Sequence, residues 1–562
     1  MMKKLLFLVF TSLFFLSNYA QTIPFKIQKS SEFEDEYKKS TIVLTKDDGK
    51  GGVLMVRSYK SSGISNTQGF YLEHYDSNLD LKKEFEFDMK HPNSQKFNMV
   101  VGICSIGNEV QIIEIYYDLN EKTYICQANI ITEDFKTSKK ELFRLTKEEV
   151  KKIGTFSLEQ KFYKRANEMW TNDNSGNLNS ESEYIPSESF LNYSKLNFTG
   201  YKKYGATKNE GGSDIIMNVN ETNTAFAITM DFNGENSEYL KFYLFDNKLN
   251  KKIDTEFTRN IKDKNYLFQN IQVAPDGNSV YLLGKTYTEE ERKKSEGGKY
   301  LFEITKMTSE FQKSQFIDVK ENFIGSLKLI FHDNHLICLG FYSDIKDFRF
   351  KGISYFKLDS NSLEILQSKY NLFTEQFMID KYGENKDKAL KFLKFKSCFI
   401  TKNNNLIFNA QEEYITTTQH SNGASGQTFY NYDDIVSAKM NSDGDLVWAR
   451  NINKRQGKTI DSEPFISYTS IVKDESTYFF INTGEKIKKL KNDRIEFGET
   501  RTNKSNLNLI RINPNGDFDY EEILDDENSP VPFMVSKGAI IDESILFLGR
   551  KGKKKQLLKV TL

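Results

Sequence analysis

Asp173, Ser175, Gly176 and Asn177, followed by Leu178, stand in the order of the middle of an EF-hand-type calcium loop. Such a loop needs charged oxygen donors at its first and twelfth positions. Here those positions are Thr171 and Ser182, with Glu181 and Glu183 flanking the last slot out of register. Asp173, Ser175 and Asn177 are the metal candidates that remain, and an ordinary solvated loop is the reading. His332 and His335 have HxxH spacing, but they flank a tight turn rather than share a helix face, and no third ligand accompanies them. GxSxG, HExxH and CxxC are absent. A serine peptidase, a zinc peptidase and a zinc knuckle are therefore not expected, and no cofactor is implied. Carboxylates are abundant, and the alternative to a binding role is a polysaccharide hydrolase or lyase whose carboxylate pair meets across distant segments in a central funnel.

The second kind of chemistry is recognition. Tyr414, Phe429 and Tyr430 border a stretch at 415–431 rich in Thr, Gln, Asn, Ser and Gly. Rings supply apolar area, while amides and hydroxyls supply adaptable hydrogen bonds. These three residues are the candidate binding residues, for a protein or a glycan.

What must position them is a repeat. The clearest copy runs from Phe268 to Lys320, with strands expected at about 268–274, 279–287, 299–307 and 313–319. β-branched and aromatic residues fill the strands, and Pro275-Asp276-Gly277 and Thr308-Ser309 punctuate them. A four-stranded antiparallel meander recurring at about 50 residues is the sequence form of a β-propeller blade. The fold expected is therefore all-β, a propeller of about eight blades, with seven as the alternative. The final copy offers only three strands, and a lone strand at 22–33 is available to close the ring. A stretch at 146–212 breaks the period. It carries capping boxes at Thr146–Glu149 and Ser157–Gln160, which predict short helices at 147–153 and 158–170 in a small helical insertion.

Two turns carry a resemblance. APDGNSVYLLG (274–284) resembles the strand signature of TolB-type and WD-like repeats, and MNSDGDLVWAR (440–450) resembles the Asp-Gly…Trp turn of secreted bacterial propeller repeats. The resemblance is confined to the turns of two blades and implies propeller architecture.

In an up-and-down blade, connections from strand two to three and from strand four to the next blade leave on one rim. The long segments 288–298, 343–351, 415–431 and 483–504 are of the first kind. The insertion 146–212 and segments 372–394 and 453–466 are of the second. One rim is thus decorated and is the expected working face.

Lys3, Lys4, the apolar run Leu5–Leu16 and Ser17–Ala20 read as an export signal spanning 1–20, leaving 21–562 as a single domain. The expected address is periplasmic, cell-surface or secreted. No later stretch is long and apolar enough to span a membrane. Charge is balanced, with 78 basic and 78 acidic residues, which argues against nucleic acid as a partner. Cys104, Cys126, Cys338 and Cys398 each lie in an apolar run and read as four buried thiols.

Overall fold

The computed structural model describes residues 23–60, 68–89, 91–106, 109–153, 214–232, 237–260, 266–287, 300–319, 322–325, 327–344, 349–386, 388–417, 428–498 and 504–562. The signal segment 1–20, the helix expected at 158–170 and the candidates Asp173, Ser175 and Asn177 lie outside these residues. Among the described residues, eight antiparallel sheets of mostly four strands follow one another in chain order. The chain is an eight-bladed β-propeller. The innermost strands of blades 1 to 8 are Lys39–Asp47, Gln95–Ile106, Asp214–Val219, Tyr266–Val273, Lys328–His332, Leu393–Ile400, Thr469–Lys473 and Ala539–Ile541.

Position within a blade decides the residue pattern. In blade 3 the second strand, Ala225–Phe232, is buried at every residue because both faces pack against neighbouring blades. The fourth strand, Lys251–Arg259, alternates exposed residues with the buried Ile253 and Phe257. The apolar clusters lie between blades rather than within them. One joins Ile216, Phe242 and Phe257 of blade 3 to Tyr266, Ile271 and Leu282 of blade 4. Another joins Ile42, Val53 and Met55 of blade 1 to Ile541, Leu546 and Leu557 of blade 8, so the ring is sealed across its ends.

Nearer the axis, polar side chains stitch one innermost strand to the next. The Asn218 amide donates to the Ile271 carbonyl at 3.3 Å, and the Gln272 amide to the Leu329 carbonyl at 3.2 Å. The Ser397 and Ser470 hydroxyls lie 3.1 Å apart. The innermost strands of blades 1, 2, 4 and 6 share a bulge, at Val43, Val101, Gln269 and Lys396.

Blade 8 has three strands of its own from the C-terminal segment. Its fourth comes from the other end of the chain. Lys26–Lys29 pairs antiparallel with Leu558–Thr561, and Phe33–Glu34 continues along the same strand against Lys555 and Lys554. Arg57 fixes the end of this segment. Its buried guanidinium meets Asp35 at 2.5 Å and forks onto Glu73 at 2.9 and 2.5 Å.

The undecorated rim is built from tight turns between third and fourth strands. Asp76, Asp246, Asn441 and Asn513 each accept from the backbone N–H groups two and four residues on. Aromatic residues of one blade reach into the next blade's turn. Tyr281 donates to the Ser360 carbonyl, Tyr355 to that of Ser442, and the Trp448 indole to that of Pro514.

Two short α-helices are present among the described residues, Lys147–Ile153 and Glu375–Tyr382. The first begins at its capping box, where Thr146 and Glu149 exchange hydrogen bonds. No helix among the described residues is long and apolar enough to cross a membrane. All four cysteines are free thiols; Cys104, Cys126 and Cys338 are buried, and Cys398 is partly so.

Candidate functional site

Blade 6 carries the hairpin that stands above the decorated rim. Its second and third strands, Leu406–Thr417 and Thr428–Met440, have 12 and 13 residues, where the matching strands of blades 1 and 3 have eight or nine. The surplus lengthens the hairpin by roughly 15 Å at the rise of a strand. A short third strand, Gly457–Lys458, pairs with Tyr430 and Asn431. The described parts of 415–431, residues 415–417 and 428–431, are therefore strand where the sequence suggested loop. Thr and Tyr suit strands, and the polarity of Thr and Asn disguises the pairing.

The register separates the three aromatic candidates. Tyr414 lies opposite Asn431, and Thr416 opposite Phe429, so Tyr414 and Phe429 share a face. Tyr430, opposite Ile415, points to the other face. The Tyr414 hydroxyl donates to Asp433 Oδ2 at 2.8 Å, and its ring centroid lies 5.0 Å from that of Phe392. Burial and Asp433 together push its proton affinity up to about 12.

Below the hairpin, two adjacent aspartates hold the rim together. A bulge between Gln411 and Glu413 lets the paired acids Asp433 and Asp434 fall beside it. Asp433 accepts from Tyr414 and from the Gln456 N–H at 3.3 Å. Asp434 accepts from the Lys454 N–H at 3.0 Å, the Asn451 amide at 3.0 Å and the Lys381 ammonium at 2.6 Å. Lys381 also meets Glu412 at 2.9 Å, so two carboxylates share one ammonium. Lys396, in the inner-strand bulge, meets Glu413 at 2.7 Å.

The helix Glu375–Tyr382 delivers Lys381. Thr374 caps its first turn, accepting from the Phe377 N–H, and Gly383 at φ 81° ends it, donating to the Ile379 carbonyl. Phe377 is fully buried and stacks on Phe373, which seats the helix in the core. Next to Lys381, Asp380 binds Arg450 of the fourth strand at 2.5 Å. The blade 7 excursion crosses to the same place. Arg494 donates to the Lys381 carbonyl at 2.8 Å, and Asn492 to that of Gly383 at 2.7 Å. Connections 372–394 and 453–466 and the excursion from 483 thus converge on one patch.

Burial sets the charges there. Glu412 is pushed up to about 7, chiefly by loss of water, with Lys381 opposing and Asp434 assisting. Asp433 is raised for the same first reason. The Lys454 ammonium is pushed down to about 7 by complete burial, against the pull of Asp433. Burial would also lift Glu413, but Lys396 and Lys394 outweigh it and hold the carboxyl below its ordinary range. Sequence reasoning missed Lys381, Glu412, Asp433, Asp434 and Lys454. The one available signal was the acid pairs 412–413 and 433–434 breaking a strand pattern.

The other candidates behave differently. His332 and His335 pair directly across the Asp333–Asn334 turn on the undecorated rim. Among the described residues no group of three or more His, Cys, Asp or Glu side chains could hold a metal ion. The innermost strands, which border the central funnel, include only two acids, Asp47 and Asp214, each at a strand end. Buried Glu73, Glu114 and Glu303 lie on second and third strands, held by Arg57, by Gln127 with Asn129, and by Arg259.

No family model matches the sequence, and no curated protein matches it. Similar solved structures include the polysaccharide lyase Uly1, at 12% identity over 97% of this chain and 94% of that one, with a TM-score of 0.33. The β-propeller domain of the Trilobed protease from Pyrococcus furiosus is 9% identical over 71% of this chain and 95% of that one, with a TM-score of 0.28. The α-L-arabinofuranosidase of Fusarium graminearum with arabinobiose is 8% identical over 61% and 91%, with a TM-score of 0.27. These are likenesses of fold alone, and the propeller assignment rests on the eight sheets themselves.

Proposed function

We propose that this chain is an exported, non-catalytic binding propeller that engages a protein or glycan through its decorated rim, with the hairpin of blade 6 at the centre of the binding face. The observation that carries this reading is the convergence of two connections on Asp433 and Asp434, with the blade 7 excursion braced on the helix that delivers Lys381. Long connections that were merely tolerated would drift separately in water, because a longer loop costs little. Here buried charge fixes them, which is the expense a rim bears when its shape matters. Phe429 stands on the raised part of this hairpin, half-buried, with the shared face of Tyr414 beside it. The test is capture of glycans from an array and of proteins from an envelope extract. The double variant Phe429→Ala/Tyr430→Ala should lose at least about tenfold in capture while stability changes by no more than about 1 kcal/mol. Undiminished capture by the double variant would remove the hairpin from the binding face.

The shared ammonium favours a second reading, a polysaccharide hydrolase or lyase. A carboxyl raised by burial, Glu412, beside a second carboxylate on the same ammonium is equipment for acid–base cleavage. The funnel strands are poor in acids, so such a centre would lie on the rim at Glu412 and Asp434 rather than in the funnel. Chain-shortening of a polysaccharide by the wild type, lost in Asp434→Asn, would establish it.

A further inference from the structure

In the patch under the hairpin two carboxylates share a single ammonium. Glu412 and Asp434 both rest on Lys381, and these side chains are 16%, 15% and 10% exposed. Asp433 also acts on Glu412, and Tyr382 and Tyr414 feel the Glu412 charge, with Arg455 acting on Tyr414; Glu413 and Asp380 are the neighbouring acids in sequence. The cations around the patch are already committed. Lys396 serves Glu413, Arg450 serves Asp380, and Arg494 serves backbone carbonyls of the helix. Lys454 donates its Nζ to the Tyr432 carbonyl rather than to an acid. Lys394 acts on Glu413.

We propose that the contact of Lys381 with Glu412 and Asp434 is a proton-tightened latch, in which Glu412 takes up a proton as the medium acidifies and the helix Glu375–Tyr382 then clamps against the base of the hairpin. The regulation rests on the reading of this rim as the working face. With Glu412 ionised, its burial and the repulsion of Asp434 and Asp433 act against one ammonium. With Glu412 protonated, Lys381 keeps Asp434 as its counter-ion, and the carboxylic acid still accepts from Lys381. The direction follows from linkage. In the closed state Glu412 is raised to about 7 from the ordinary 4.5, and in an open, wetted state it returns toward that ordinary value. The closed state therefore binds the extra proton between these values, and acidification through this window favours closure. Asp433 is raised as well and acts in the same sense. Lys454, held down to about 7 by its burial, takes up its proton around neutrality and acts in the opposite sense above that pH, so it works against the step rather than producing it.

The experiment is amide hydrogen exchange on the full chain without any ligand, from pH 5 to 8, with rates corrected for the intrinsic pH dependence. The reporters are the helix amides of Met378 and Gly383, which donate to the Thr374 and Ile379 carbonyls. Protection should rise by at least about tenfold from pH 8 to pH 5, a change that a shift of one unit or more can supply. Glu412→Gln, a permanent mimic of the protonated acid, should be protected at pH 8 as the wild type is at pH 5 and show no step. A flat profile in the wild type overturns the latch, whether or not the variant folds. A step that persists in Glu412→Gln overturns the assignment to Glu412. Because exchange is read without a partner, failure to capture any glycan or protein would sink the binding role and leave this result standing.

Discussion

Lys454 shows how much one side chain here depends on its surroundings. Its backbone N–H serves Asp434, its Nζ serves the Tyr432 carbonyl, and the side chain is closed off from water. The folded amine sits near 7 against an ordinary 10.5. Between these values the unfolded chain holds a proton that the folded chain does not. Stability is thus lost as pH falls from about 10.5 to about 7 and stays low below that. Replacing the amine with a thioether of similar length removes the penalty. Lys454→Met should therefore raise unfolding stability by roughly 2–4 kcal/mol at pH 6.5 and by almost nothing near pH 10.5. Denaturant titrations at the two pH values check this. An equal gain at both would mean that the amine is not charged and buried as described. Nothing near 454 in the sequence marks this residue. Lys454 falls in the connection 453–466, and its burial comes with contacts to Tyr432 and Asp434 of the preceding hairpin strand.

At the scale of elements, the strands were legible and the patch was not, for the same reason. Second and third strands packed on both faces leave continuous apolar runs such as Ala225–Phe232, and those runs survive in any single sequence. The helix Lys147–Ile153 was legible because a capping box is local. The patch joins residues 380, 412, 434, 454 and 494, which only the ring brings together. Among turns, Asn515-Gly516 was legible as a hairpin signal, but its partner ring was not. Gly516 has φ 93°, and a Cβ there would lie 3.0 Å from Trp448 Cγ. Gly552, at φ 63°, has open space around it. Gly552→Ala should cost about 1 kcal/mol from backbone strain alone, and Gly516→Ala about 1 kcal/mol more because Trp448 must move. Equal losses in thermal melts would show that the indole does not lock blade 6 to the turn of blade 7.

At the scale of the molecule, closure depends on one short segment. Lys26–Lys29, Phe33–Glu34 and Asp35 cover the edge of the last strand and engage Arg57. Arg57→Met leaves Asp35 and Glu73 buried without their cation, which should cost about 3–5 kcal/mol. Removing the chain through Glu34 should lower stability by a comparable or larger amount, because a sheet edge opens as well. Calorimetric or denaturant midpoints unchanged by the truncation would show that the ring holds without its N-terminal strand.

The same pairing imposes a wait. Lys26 is among the earliest residues of the propeller to be made, and Thr561, its partner, comes 535 residues later. At synthesis rates of about 5–20 residues per second, roughly half a minute to two minutes separate the two. For that whole interval the first strand has no legitimate mate, while seven finished sheets accumulate beside it. Its composition suits the delay. KIQK places a lysine at each end of four residues, and such charges discourage a strand from joining the wrong edge. The ring is therefore timed by its slowest arrival, and it cannot close before the last strand of blade 8 is made.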